Sequence, residues 1–292
     1  MSERADPILQ QRGEEQNKLR NTITAKRLKQ HQPRNTRKSK KGTDLAAAML
    51  IPLLVITIWQ YAAGKGYISS VFLPAPISIG EAFMRLFATG ELFHHLGISM
   101  YRALIGFLAG SILGLSIGTL TGFSRKAAYL LDPSIQVLRL VPHLAIAPLI
   151  ILWFGFGEVS KVVIIVSGAF FPLYINTFTG IRNVDNKLYE VGRVLEFSLK
   201  NKLTRLILPA ALPNILLGFR LSLAVSWIGL VVAELIGSKS GVGFLINQAK
   251  QNSDTEVIFV GIIIFAVVGK LIDSLMRLVE KKYLHYRDSY QG

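Results

Sequence analysis

Apolar residues along the 292-residue chain gather into long runs separated by short polar stretches. The run at 45–63 contains no charged residue, and as a helix rising about 1.5 Å per residue it is about 28 Å long, close to the ~30 Å hydrocarbon core of a bilayer. Comparable runs predict further spans at about 98–123, 132–154, 159–181, 215–236 and 257–276. The stretch at 77–87 is short and carries Glu81 and Arg85, so it reads as an interfacial helix. The pattern predicts an all-α polytopic membrane protein with about six transmembrane helices.

Composition agrees and locates the charge. Hydrophobic residues make up 51% of the chain and charged residues 17%, against about 25% charged in an average protein, which argues against two soluble domains. Residues 1–43 hold 12 of the 33 Lys and Arg and 4 of the 18 Asp and Glu. This basic tail has no apolar periodicity and is expected to be disordered, with anionic lipid rather than nucleic acid as its partner. The transmembrane domain is expected over 44–292. About 43 hydrophilic residues precede the first apolar run, so that run reads as an uncleaved anchor.

Short loops rich in Lys and Arg stay cytoplasmic. With the N-terminus inside, the tail, the 125–126 loop, the 182–205 loop and the end from 277 hold 24 of the 33 basic residues. Both termini are therefore expected in the cytoplasm, with 64–95 and 237–254 outside. The chain has no Cys, which excludes disulfides and thiolate chemistry. His94 and His95 are adjacent and face different directions, and no metal site is expected.

Within the second span Gly106, Gly110, Gly114, Gly118 and Gly122 recur every four residues. Small residues at this spacing let two helices approach closely in lipid; packing within one subunit, a pore lining or a homodimer contact would each use it. The stripe drifts by about 40° per step, which favours a crossed packing over a parallel seam. Ionisable groups in spans are costly and suggest function. Arg102, Arg139 and Lys161 lie near enough to interfaces to snorkel, and Lys270 has Asp273 three residues on. Arg220 and Glu234 are about 21 Å apart along one helix, so each needs another partner; both are candidates for translocation or switching, with Arg102 and His143. His143, between Pro142 and Pro148, reads as a hydrogen-bonding group in a kinked span.

Within a cytoplasmic loop expected over 183–212, the segment 183–208 is amphipathic, with Leu188, Val191, Leu195 and Leu199 near one helical face. Pro209 and Pro213 are expected to end it before the fifth span. Its stripe is buried on the membrane or in the groove of a soluble partner. Glu190-Val191-Gly192 with Leu208-Pro209 downstream resembles the E-A-A-x-x-x-G loop of ATP-binding-cassette importer permeases. The resemblance extends over Leu73-Pro74-Ala75-Pro76, Arg102 to Gly106, Val141-Pro142-His143-Leu144, Pro209-Ala210-Ala211-Leu212-Pro213, Ala233-Glu234 and Gly241-Val242-Gly243. It is similar to the sulfonate, taurine, nitrate and bicarbonate branch, most of all to the aliphatic sulfonate permeases. The family's motif glycine falls on Glu196 here, and a charged residue at a turn position favours a first helix that runs on.

The resemblance implies a type I importer fold, a dimer of two permease copies and a soluble binding protein delivering an anion. It also implies a coupling loop carrying Leu188, Glu190, Val191, Gly192, Leu195, Glu196, Leu208 and Pro209 that docks on an ATPase subunit. No G-x-x-x-x-G-K-[ST] phosphate loop occurs in the chain; ATP and Mg are expected on the partner, and this chain is expected to hold no cofactor and to catalyse nothing. An ion-coupled secondary transporter and a membrane scaffold are the alternatives from other classes.

Overall fold

A computed structural model describes residues 41–284 apart from His143. Most of the basic tail, and His143 itself, therefore lie outside the described residues. Every regular element among them is helical: α1 (Lys41–Gly64), α2 (Pro76–Ala88), α3 (Glu91–Phe123), α4 (Arg125–Leu140), α5 (Ala147–Phe154), α6 (Glu158–Arg182), α7 (Asn186–Val194), a short turn Leu199–Asn201, a π turn Lys202–Ile207, α8 (Leu208–Gly237), α9 (Val242–Gln251) and α10 (Thr255–Tyr283). The chain forms two units, Met1–Ile58 and Trp59–Gly292. The described part of the first is the helix from Lys41, and the second contains α2 to α10.

Among the described residues four helices are long and apolar enough to cross a membrane: α3, α6, α8 with its π lead-in, and α10. A shorter apolar segment, Met49–Gly64, belongs to α1. The third predicted span, 132–154, is not one helix. It is split into α4 and α5 because Pro142 forces the preceding Val141 into an extended conformation, with ψ 120°. Pro148 then sits in the first turn of α5, where its fixed φ suits a helix start.

The prolines after the docking segment also act differently from the expectation. Pro209 lies in the first turn of α8 and Pro213 inside it, so the chain from Lys202 to Gly237 is continuous. The Leu208 N–H donates to the Leu203 carbonyl, five residues back. Pro209 has no N–H to donate, and a π register changes to an α register where that donor is missing.

α6 packs lengthwise against both α3 and α8, burying Ile164, Ile165, Ala169, Leu173, Tyr174 and Ile181. The five glycines of α3 make this approach possible. A Cβ on Gly106 would lie 2.5 Å from Ile165 Cγ2, on Gly114 2.7 Å from the Phe170 carbonyl oxygen, on Gly118 2.8 Å from that of Tyr174, and on Gly122 2.9 Å from Ile181 Cβ. Glycines 106 to 122 meet residues 165 to 181 in the same order, so the helices run parallel and stay in contact for about 24 Å. The predicted crossing does not occur: with no Cβ at any of the five positions, α6 follows the drifting stripe. A second core forms where Ile79 and Leu86 of α2 meet Val257 and Phe265 of α10 and Leu245 of α9.

Candidate functional site

The two sets of candidate residues lie at opposite ends of α8. At its C-terminal end Glu234 is fully buried, as is Arg102 of α3. Arg102 Nη1 donates to Glu234 Oε1 at 2.9 Å, and Ser99 Oγ lies 2.8 Å from both oxygens of the same carboxylate. The Gly243 N–H donates to Glu234 Oε2 at 2.9 Å. The guanidinium also donates through Nε and Nη2 to the two oxygens of Glu158 at 2.7 Å each, to the Ser240 carbonyl at 2.6 Å and to Ser240 Oγ at 2.9 Å. Lys161 Nζ reaches Glu158 Oε1 at 3.2 Å and the Phe156 carbonyl at 3.2 Å.

The two cations thus face two carboxylates, and every guanidinium nitrogen has an acceptor. Arg102 and Lys161 do not snorkel to water; α6 and the 238–243 loop cover them. The backbone around this clamp comes close because it is glycine. Gly241 has φ 108° and the position its Cβ would take is filled by the Glu234 carboxylate, while a Cβ on Gly243 would fall 2.5 Å from Glu234 Cβ. His95 Nδ1 accepts from the Gly241 N–H at 3.0 Å, and Ser99 Oγ from the Val242 N–H at 2.8 Å. The clamp therefore joins α3, α6, α8 and the start of α9.

Sequence reasoning picked out Arg102 and Glu234 separately and missed both their pairing and Glu158. The available signal was an arginine and two acids near the same ends of charge-poor spans. Arg220, the other candidate, is elsewhere: its Nε donates to Asp273 Oδ1 at 2.9 Å and its Nη1 lies 3.5 Å from Glu280 Oε2, both on α10. The expected Lys270 to Asp273 pair is 4.0 Å long, because Arg220 and Arg277 take that carboxylate.

At the other end, α7 starts where the Asp185 carboxylate accepts from the Lys187 N–H at 2.9 Å, an N-cap. It stops at Val194, and the helix does not run on through Glu196. Glu196 has φ 50°; its N–H donates to the Arg193 carbonyl at 3.1 Å and that of Phe197 to the Gly192 carbonyl at 3.0 Å. These two bonds form a Schellman cap with Glu196 in the left-handed position that glycine usually fills. Satisfying two helix-end carbonyls outweighs roughly 1–2 kcal/mol of steric cost.

The expected single stripe is also divided. Leu188 packs inward beside Val184, Leu203 and Ile207, and Gly192 is placed where a Cβ would fall 2.7 Å from Leu206 Cδ1. Val191, Val194 and Leu195 are exposed, Val194 at 82%, together with Glu190. Leu188 and Gly192 are covered by the π turn, whereas Val191 on the flank of the same face, Val194 behind it and Leu195, the C-cap past the end of the helix, are not. Leu208 is exposed and Pro209 half-buried at the start of α8.

Comparison with known proteins places this geometry. The family model described as "Binding-protein-dependent transport system inner membrane component" matches residues 92–285. The protein of Bacillus subtilis (strain 168) named as the aliphatic sulfonates transport permease SsuC is 60% identical over 244 residues, 84% of this chain and 88% of that one. Its namesake in Escherichia coli (strain K12) is 44% identical over 251 residues, 86% of this chain and 95% of that one. Among solved structures, a chain of an amino acid ABC transporter crystallised with histidines superposes with a TM-score of 0.57 at 20% identity, covering 69% of this chain and 95% of its own length; it supports the fold.

Proposed function

The chain belongs to the binding-protein-dependent inner membrane components, the multi-pass permeases of ATP-binding-cassette importers, and on that premise we propose that its cargo is an aliphatic sulfonate. A soluble binding protein delivers the anion, a second copy completes the pathway, and a separate ATPase subunit supplies the energy. The cargo rests on the 60% identity to the Bacillus subtilis protein; taurine, nitrate and bicarbonate are the rival anions. The coupling role rests on one observation, the division of α7. Its inner face is used up on its own subunit, while Glu190, Val191, Val194 and Leu195 stand uncovered for a partner groove.

The rest of the mechanism follows from continuity. A push on α7 passes through Leu188 and Gly192 to the π turn and into α8, and the unbroken helical stretch Lys202–Gly237 is 36 residues long, roughly 50 Å. Its far end carries Glu234. In this reading the Arg102 clamp is the outer latch, holding α3, α6 and α8 together while the docking end is moved. In this reading both termini, α7 and the π turn face the cytoplasm, the side that the bias of Lys and Arg favours.

The test is uptake by proteoliposomes containing this chain, its partner ATPase and the binding protein. Labelled ethanesulfonate is expected to accumulate with ATP hydrolysis. Accumulation of nitrate or bicarbonate without any sulfonate uptake would sink the cargo assignment, and ATP hydrolysis by this chain alone would sink the coupling role.

A further inference from the structure

A cavity of about 790 Å³ lies between the inner face of the docking region and the ends of α3 and α6. Arg125 at the start of α4, Arg182 at the end of α6, Arg193 on α7 and Lys202 on the π turn all line it, and among the described residues no carboxylate does. None of the four takes part in an ion pair among the described residues. Arg182 is preset: Nη2 donates to the Thr121 carbonyl at 3.2 Å, and the guanidinium lies 5.7 Å from the centre of the Phe178 ring. Four cations line one space, with Arg125, Arg182 and Arg193 exposed and Lys202 half-buried, and their like charge favours an anion there.

A second hollow of about 390 Å³ shares Arg125 and continues past Lys126, Tyr129 and Leu130. Tyr129 and Leu130 are exposed, so this neighbour of the cationic cavity is walled by apolar surface. A free tetrahedral oxyanion would use the first space only. A molecule with a charged head and an apolar chain uses both.

We infer that the two hollows bind one anionic phospholipid, its headgroup phosphate among Arg125, Arg182, Arg193 and Lys202 and its acyl chain along Tyr129 and Leu130. The lipid then acts as a strut between the docking helix and the transmembrane helices. It leaves Val191, Val194 and Leu195 free for the ATPase, because none of them lines either hollow. Its binding is independent of which anion is the cargo.

The intact transporter complex, purified from membranes, is subjected to native mass spectrometry and to thermal unfolding with added phosphatidylglycerol, phosphatidylcholine or inorganic phosphate. The wild type is expected to retain and be stabilised by phosphatidylglycerol alone. Arg193→Gln with Lys202→Gln is expected to weaken that lipid's binding on the order of tenfold, the effect of withdrawing two cations from an anionic headgroup. Lys187→Gln with Arg205→Gln removes the same charge from exposed positions outside the cavity and is expected to change nothing. Tyr129→Asp, at an 83% exposed position, tests the chain path without disturbing the fold and is expected to weaken retention as well. Equal retention in all variants, or equal retention of phosphatidylcholine, overturns the site. Stabilisation by inorganic phosphate that matches the lipid's puts a soluble oxyanion there and overturns the lipid assignment.

Discussion

The two ends of α8 are built on opposite plans. At the Glu234 end the buried charges have their partners inside the chain: one carboxylate receives a guanidinium, a hydroxyl and a backbone N–H, and glycines bring the backbone against it. At the Lys202 end apolar side chains stand in solvent and cations line a cavity with no carboxylate among the described residues. A buried polar group left without a partner costs more than a satisfied one gains, so the first end tolerates no vacancy. In the proposed reading the second end is finished by other molecules. One helix thus connects a closed joint to an open one.

The closed joint is damaged most severely by Glu234→Ala. Removing one member of a buried charge pair costs roughly 3–5 kcal/mol, and here it strands Ser99 and the Gly243 N–H as well. Loss of the folded complex, or a much lowered unfolding temperature, is the expected result; an unchanged Tm would show that the clamp contributes nothing to holding the helices together. Gly114→Leu attacks the seam that joins the ends. A side chain aimed at the Phe170 carbonyl 2.7 Å away is expected to cost about 3 kcal/mol, again read as Tm.

Glu190→Lys probes the contrast from the open end. The permease is expected to fold normally, while charge reversal at the proposed interface weakens ATPase binding by roughly 2 kcal/mol or more. Pull-down of the ATPase and coupled uptake measure this; full uptake would mean that docking depends on Val191, Val194 and Leu195 alone. The smallest expected effect is that of Glu196→Gly. Relief of the left-handed conformation is expected to stabilise α7 by about 1 kcal/mol, seen as slower hydrogen exchange of the Glu196 and Phe197 amides. Faster exchange would show that the glutamate side chain itself supports the cap.

The spans were legible because apolar runs of bilayer length have few other uses, and the glycine ladder because its period is that of a helix face. The break in the third span was present in the sequence as Val141-Pro142, but a proline alone does not say whether a helix kinks or ends. The Arg102 to Glu234 pair was not legible: 132 positions separate the partners, and only the packing of α3 on α6 and α8 brings them together. Glu196 misled for a different reason. Residue type argued against a turn, yet the decisive quantity was the pair of capping hydrogen bonds, which any backbone can make. The stripe 188, 191, 195 was a sound periodicity read on too long a helix: α7 has nine residues and ends at Val194, so Leu195 lies past its end, and the π turn covers only Leu188 and Gly192.

The π turn at Lys202–Ile207 also sets a direction. A π turn holds more residues than the α turn it replaces, so the chain ahead of α8 contains a spare residue, stored as a bulge. The heading of the docking face about the helix axis therefore depends on that residue staying bulged. Winding that turn into α geometry with all its residues kept swings everything ahead of it by about 100° and pushes it out by about 1.5 Å, whereas deleting the spare residue removes the bulge and leaves the heading as it is. In mechanical terms the bulge is an indexing tooth, fixing which way the uncovered edge of α7 points when α8 is pulled.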